Sequence, residues 1–245
     1  MVDLKRIERL VSVTRTATGW TVGAATPTAR LTGDAAFSGA FPGISEAAGL
    51  IGSDQVQSRS SLGGNLCNAS PAADSVPAMV VNGARAVIAS GGGTRTIDVS
   101  EVVTGPGSTS LAPGEFIVEF ELDAPPARTG DAYLRMIPRT EMDIAIVGAG
   151  ARVTLDAAGN VTSAAIALGA VAPTVVRVAD GEAALAGKPV NDETLAAVAA
   201  AASAAANPID DKRGTIAYRR HVAGVLAKRA VSIAAQRAAE RGDTA

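Results

Sequence analysis

The chain has 245 residues, 47% of them apolar and 19% charged, which excludes a disordered protein and leaves room for one or two globular domains. Twenty-two Lys and Arg against 24 Asp and Glu give a net charge of −2, so the excess positive charge needed to neutralise nucleic-acid phosphates is missing. Aromatics make up only 3%, so few stacking platforms exist for bases and small aliphatic side chains must fill the core.

In chain order, Met1 to Leu10 alternates charged and apolar residues without a signal-peptide core, and a cytoplasmic protein is expected. No uncharged run is long and apolar enough to span a bilayer, so no membrane span is expected. Val11, Val13 and then Trp20, Val22, Ala24 alternate around Ala17-Thr18-Gly19, predicting two short strands and a turn. From Pro42, Ile44, Ala47, Ala48 and Ile51 have helical spacing that stops at Gly52. Residues 58–77, rich in Ser, Asn and Gly, read as a long irregular connection, and such connections in compact domains tend to be functional. Ala78 to Val81 belongs to a short helix, and Gly91-Gly92-Gly93 joins two strands of a hairpin. Phe116, Val118, Phe120 and Leu122 alternate with Ile117, Glu119 and Glu121, the clearest strand pattern in the chain.

Pro125-Pro126-Ala127-Arg128-Thr129-Gly130 is the expected domain boundary, dividing the chain into 1–126 and 127–245. Beyond it, Ile144 to Leu155 and Val161 to Val171 read as strands joined by the turn Asp156-Ala157-Ala158-Gly159-Asn160. Helices are expected over 178–185, 192–206 and 215–237, the last burying Val222, Val225, Leu226 and Ala230.

Cys67 and His221 are each the only residue of their type, so this chain cannot by itself build an iron–sulfur cluster, a Cys/His zinc site or an internal disulfide. His221 lies between cations in a helical segment and reads as a solvated side chain rather than a catalytic base. The remaining candidate for chemistry is Gly63-Gly64-Asn65, because adjacent glycines allow backbone N–H groups to converge on an anion such as a pyrophosphate. Ser60, Ser61, Asn65, Asn68 and Ser70 add neutral donors, and Asp74 could accept from sugar or ribityl hydroxyls. An ordinary surface loop is the alternative, and neither GxGxxG nor GxxxxGK[ST] is present.

Gln55 to Asp74, with Ser61-Leu62-Gly63-Gly64-Asn65 at its centre, resembles the second FAD-binding segment of the flavoprotein subunits of molybdenum hydroxylases, the xanthine dehydrogenase and carbon monoxide dehydrogenase medium-subunit family. Leu111 to Ile117, Ala132-Tyr133-Leu134-Arg135 with Arg139 to Ala145, Ala167 to Pro173, and Asp211-Lys212-Arg213-Gly214 with Tyr218-Arg219-Arg220 extend the likeness from Val2 to about Arg237. The resemblance implies an α+β fold, a FAD-binding domain of the molybdopterin-dehydrogenase type followed by a small antiparallel sheet with helices. It also implies FAD contacts from Ser61, Leu62, Gly63, Gly64 and Asn65 at the diphosphate, with Asp74 as a further contact. Ile51 falls where the xanthine dehydrogenases place an aromatic beside the flavin, Ile117 would approach through its backbone, and Arg135 stands where the family commonly has Lys, a change of geometry at constant charge. The family's earlier Ala-Gly-Gly-type segment has no counterpart before Val2-Asp3-Leu4, which implies that part of the FAD-binding domain is missing.

Simpler roles stand beside these: Ile51 and Ile117 as core, Asp74 as cap of the following helix, Arg135 with Asp143 as a surface ion pair, Cys67 as an inert side chain. The resemblance implies an electron-transfer subunit, with the molybdenum cofactor in a large partner subunit and 2Fe-2S clusters in a small one. Two other readings remain open: a member without FAD serving as a scaffold, and a FAD or nucleotide module without a molybdenum partner.

Overall fold

A computed structural model describes residues 3–140 and 142–242. Val2 and Glu141, parts of the segments that carry the resemblance, lie outside the described residues. In chain order the elements are β1 (Val13–Arg15), β2 (Gly19–Gly23), α1 (Thr28–Gly33), α2 (Ala35–Ala40), α3 (Pro42–Gly49), α4 (Asp54–Gln57), α5 (Leu62–Cys67), α6 (Ser75–Val81), β3 (Arg85–Ser90), β4 (Gly93–Asp98), β5 (Val103–Gly105), β6 (Ser108–Thr109) and β7 (Phe116–Asp123). The second half adds β8 (Thr129–Met136), β9 (Val147–Leu155), β10 (Val161–Gly169), β11 (Val176–Arg177), α7 (Ala179–Leu185), α8 (Asp192–Ala205) and α9 (Ile216–Glu240).

Two antiparallel sheets organise these elements into an α+β fold. The first has strand order β1-β2-β7-β3-β4 and buries Trp20, Val22, Ile88, Ile117, Phe120 and Leu122 with side chains of α1 to α3, α5 and α6. Phe37 of α2 meets Trp20 edge to face at 5.6 Å, one of the few aromatic contacts such a composition permits. The second sheet, β11-β10-β9-β8, packs Ala149, Ala151, Val153 and Ile166 against α7 to α9 through Leu185, Val198, Leu226 and Ala230. The expected irregular stretch 58–77 instead contains α5 and the start of α6. Ser61 supplies the N-cap that lets a glycine-rich segment start a helix there, its Oγ accepting from the Gly64 N–H at 3.1 Å.

Side chains along a strand alternate between faces, and β8 uses that alternation to join the halves. Gly130, Ala132 and Leu134 turn toward α9, whereas Asp131, Tyr133 and Arg135 turn toward α3, α6 and the segment before α6. Asp131 Oδ2 accepts from the Gly43 N–H at 3.1 Å and from Asn82 Nδ2 at 2.8 Å. Arg237 of α9 donates to the Asp131 carbonyl at 2.7 Å and also pairs with Glu46, whose other oxygen accepts from the Tyr133 N–H.

Burial raises the Asp131 carboxyl from the usual 3.8 to about 6, against the pull of the Asn82 amide and the Arg241 charge. A carboxyl raised on folding contributes stability below pH 4 that is lost as the pH rises through 6, about 3 kcal/mol for a change of this size. Asn at this position can still accept both hydrogen bonds without carrying the charge. Asp131→Asn is therefore expected to be more stable than the wild type at pH 7.5, with the difference vanishing toward pH 4, as measured by urea unfolding at both pH values.

Candidate functional site

The segment singled out in the sequence folds as a short capped helix joined to α6. The Gly63 N–H donates to the Ala24 carbonyl at 3.0 Å, the Gly64 N–H to Ser61 Oγ, and the Asn65 N–H to the Ser61 carbonyl at 2.9 Å. Glycine is required at 63, where a Cβ would stand 2.5 Å from the Ala24 oxygen, while Gly64 is exposed. The open diglycine nest expected from the sequence is thus replaced by the first turn of α5, whose amides at 63 to 65 already have partners. Leu62 is buried beneath them. Asn65 turns its side chain inward, Oδ1 accepting from both the N–H and the hydroxyl of Ser75, and so caps α6 from ten residues upstream.

That capping frees Asp74 for another role. Its backbone is helical and its carboxylate makes no cap bond. Instead, Oδ1 accepts from the Tyr133 hydroxyl at 2.9 Å and Oδ2 from Arg135 Nη1 at 2.8 Å. The side chains of Asp74 and Arg135 are only 10% and 7% exposed, so this is a buried pair, and the expected Arg135–Asp143 surface pair does not form. Asp143 pairs with Arg139. Burial still pushes the Asp74 carboxyl upward despite the opposing pull of the Arg135 charge and the Tyr133 hydroxyl.

Tyr133 and Arg135 also line a cleft of about 540 Å³ between β8 and the segment from α3 to α4, together with Leu50, Gly52, Ser53 and Gln57. Arg135 Nε is buried without a hydrogen-bond partner. With Arg135 on one wall and Ser53, Asp54 and Gln57 on the other, the cleft offers both donors and acceptors to a ligand with a polar edge. Ile51 lies half-buried between the cleft residues Leu50 and Gly52. Ile117 is buried in β7 opposite Ile88, within the first core. The cleft therefore brings together Arg135 and the surroundings of Ile51, with Asp74 one contact behind. Ser61 to Asn65 and Ile117 do not line it.

Tyr133 is the site residue to which the sequence reading assigned no role. Its signal is its spacing of two from Arg135, which puts both side chains on one strand face. A second cleft of about 500 Å³ lies elsewhere, lined by Pro71, Ile144, Pro173 and Ile209 above Asp211 and Arg219. His221 is exposed on α9.

Residues 1–125 match the FAD binding domain in molybdopterin dehydrogenase, and residues 132–234 match the CO dehydrogenase flavoprotein C-terminal domain. The carbon monoxide dehydrogenase medium chain of Hydrogenophaga pseudoflava is 32% identical over 98% of this chain and 83% of its own length. The xanthine dehydrogenase FAD-binding subunit of Escherichia coli O157:H7 is 29% identical over 95% of this chain and 80% of its own. Among solved structures, a chain of the Hydrogenophaga pseudoflava carbon monoxide dehydrogenase superposes with a TM-score of 0.91 at 32% identity, covering 96% of this chain and 81% of that one. Quinoline 2-oxidoreductase from Pseudomonas putida 86 gives 0.89 at 28% identity, with coverage of 96% and 81%.

Removing the cation while keeping its bulk tests the buried pair. Arg135→Met should strand the Asp74 carboxylate and cost about 3–5 kcal/mol at neutral pH, the range for breaking a buried ion pair. The penalty should shrink as the pH falls, because burial has already pushed the Asp74 carboxyl upward and loss of the Arg135 charge pushes it the same way, so the stranded group takes up a proton more readily. Chemical denaturation at pH 7 and pH 4.5 reads both values.

Proposed function

Because the chain belongs to the family of FAD-binding medium subunits of the molybdenum hydroxylases, oxidoreductase components, we propose that it holds FAD in the cleft between β8 and α3–α4 and serves as the electron-transfer subunit of such a complex. The observation that carries this reading is the cleft itself, whose walls come from both matched domains with Arg135 on the β8 side. When bound, the isoalloxazine supplies the redox chemistry. The chain's own residues do the rest: Arg135 offers a charged donor, Asp74 and Tyr133 fix its position, and Leu50 with the neighbouring Ile51 provides apolar cover. The exposed edge of α5 at Gly64, with Ser61 and Asn65 beside it, is the proposed approach for the diphosphate, and Leu62, Gly63 and Ile117 would shape its surroundings.

Electrons would arrive from a small 2Fe-2S subunit, having started at a molybdenum cofactor in a large subunit, and leave to an external acceptor. The relatives named as a medium chain and as a FAD-binding subunit support this division of labour. Among the described residues no helix is long and apolar enough to cross a membrane, and no group of three or more His, Cys, Asp or Glu side chains is placed to hold a metal ion. The proposed setting is the cytoplasm.

The partnered amides at 63 to 65 favour a second reading, a scaffold subunit without FAD. Titrating the purified chain with FAD separates the two. Uptake of one equivalent, with a perturbed visible flavin band, is expected, and absence of uptake by folded protein supports the scaffold. Gly64→Asp places a negative charge on the proposed diphosphate approach, where a Cβ meets only Ser61 Oγ at 3.2 Å. It should weaken FAD binding at least about tenfold with little change in melting temperature.

A further inference from the structure

We infer that Glu46 is a positioning residue for the cofactor cleft: from the last turn of α3 its carboxylate ties that helix to the outer edge of β8, and so sets how far apart the two walls of the cleft stand. The inference rests on the FAD reading and deepens it.

β8 is the outermost strand of its sheet, so the backbone groups of alternate residues point away from β9 and have no strand to meet. Side chains take the place of a further strand there. The Thr129 carbonyl accepts from Arg241 and the Asp131 carbonyl from Arg237, both at 2.7 Å, and the Tyr133 N–H donates to Glu46 Oε2 at 2.9 Å. Of these three side chains only Glu46 comes from the first half of the chain, and its other oxygen pairs with Arg237, so it meets β8 and α9 at once. One turn earlier in α3, the Gly43 N–H donates to Asp131 Oδ2 at 3.1 Å. Two attachments, about 4.5 Å apart along the helix and about 7 Å apart along the strand, fix the angle between the two elements, where one alone would leave a pivot. The cleft opens directly beyond the second attachment, its walls starting at Gly49 and Leu50 on one side and at Tyr133 and Arg135 on the other. Glu46 is therefore the last tie before the walls part. Walls held in place before a ligand arrives spare it the cost of ordering them.

The test uses the full chain with Cys67→Ser, Val56→Cys and Met136→Cys, which carries one spin label on each wall. Val56 and Met136 are 40% and 37% exposed and do not line the cleft. Glu46→Ala and Glu46→Gln are compared with this parent, the distance between labels being read by pulsed electron resonance without FAD, and FAD affinity by flavin fluorescence. Glu46→Ala should broaden the distance distribution and weaken FAD about tenfold. Glu46→Gln keeps an oxygen for the Tyr133 N–H, while Arg237 keeps its bond to the Asp131 carbonyl. It should retain the narrow distribution and bind FAD within about threefold of the parent. An unchanged distribution or affinity in Glu46→Ala, or a loss in Glu46→Gln as large as in Glu46→Ala, would overturn the inference. If the parent takes up no FAD, the cofactor reading fails by itself and the distances still decide the positioning: broadening in Glu46→Ala that is absent in Glu46→Gln upholds it, and any other result overturns it.

Discussion

Three side chains on one face of β8 hold the two halves of this protein together by hydrogen bonds buried at their junction. Asp131 reaches Gly43 and Asn82, while Tyr133 and Arg135 meet on Asp74, and all of these groups are buried or nearly so. The alternate face of the same strand packs Ala132 and Leu134 into the core beneath α9. Period-two alternation thus separates what stabilises the second sheet from what positions it against the first domain. The cleft lies where this polar face passes the end of α3, so its walls come from both domains and its width depends on the junction.

Such a junction contributes specificity more than stability. Burial raises the carboxyls of both Asp74 and Asp131 even though each accepts two hydrogen bonds, so desolvation outweighs the donors supplied. The favourable free energy of folding must come from the two aliphatic cores, where Ala, Val, Leu and Ile take the space that aromatics fill in other proteins. A polar seam between two apolar cores fixes one relative placement of the domains, because any slip would strand a buried carboxylate. A cofactor shared between two domains needs that placement more than it needs extra stability.

What the sequence made legible were elements with a strong period or an unambiguous turn. The alternation at 116–122 is β7, the Asp156–Asn160 turn joins β9 to β10, and the helical spacing from Thr215 is α9, in which Val222, Leu226 and Ala230 are buried and Val225 is half-buried. The helices α1 and α2 escaped notice because six residues with Thr and Gly carry little periodicity, and Asp34, which caps α2, is an isolated signal. α5 escaped because Gly63 and Gly64 read as loop residues, whereas the close approach of Ala24 and the Ser61 cap override their propensity. Asp74, a FAD contact by resemblance, had a helix cap as its simpler local reading, but Asn65 takes the capping position from a distance and leaves the carboxylate to partners about 60 residues further on. Contacts of that range leave no local pattern. The family resemblance named Arg135, and only the structure shows that its partner is Asp74 and that Tyr133 donates to the same carboxylate.

Hydrogen–deuterium exchange of the full chain with and without FAD reports on both walls of the cleft at once. Slowed exchange is expected together in residues 49–65 and in 133–140 when FAD is present. Protection confined to the apolar cleft around Pro71 and Ile209, or to only one of the two walls, would contradict a cofactor site built across the β8 junction.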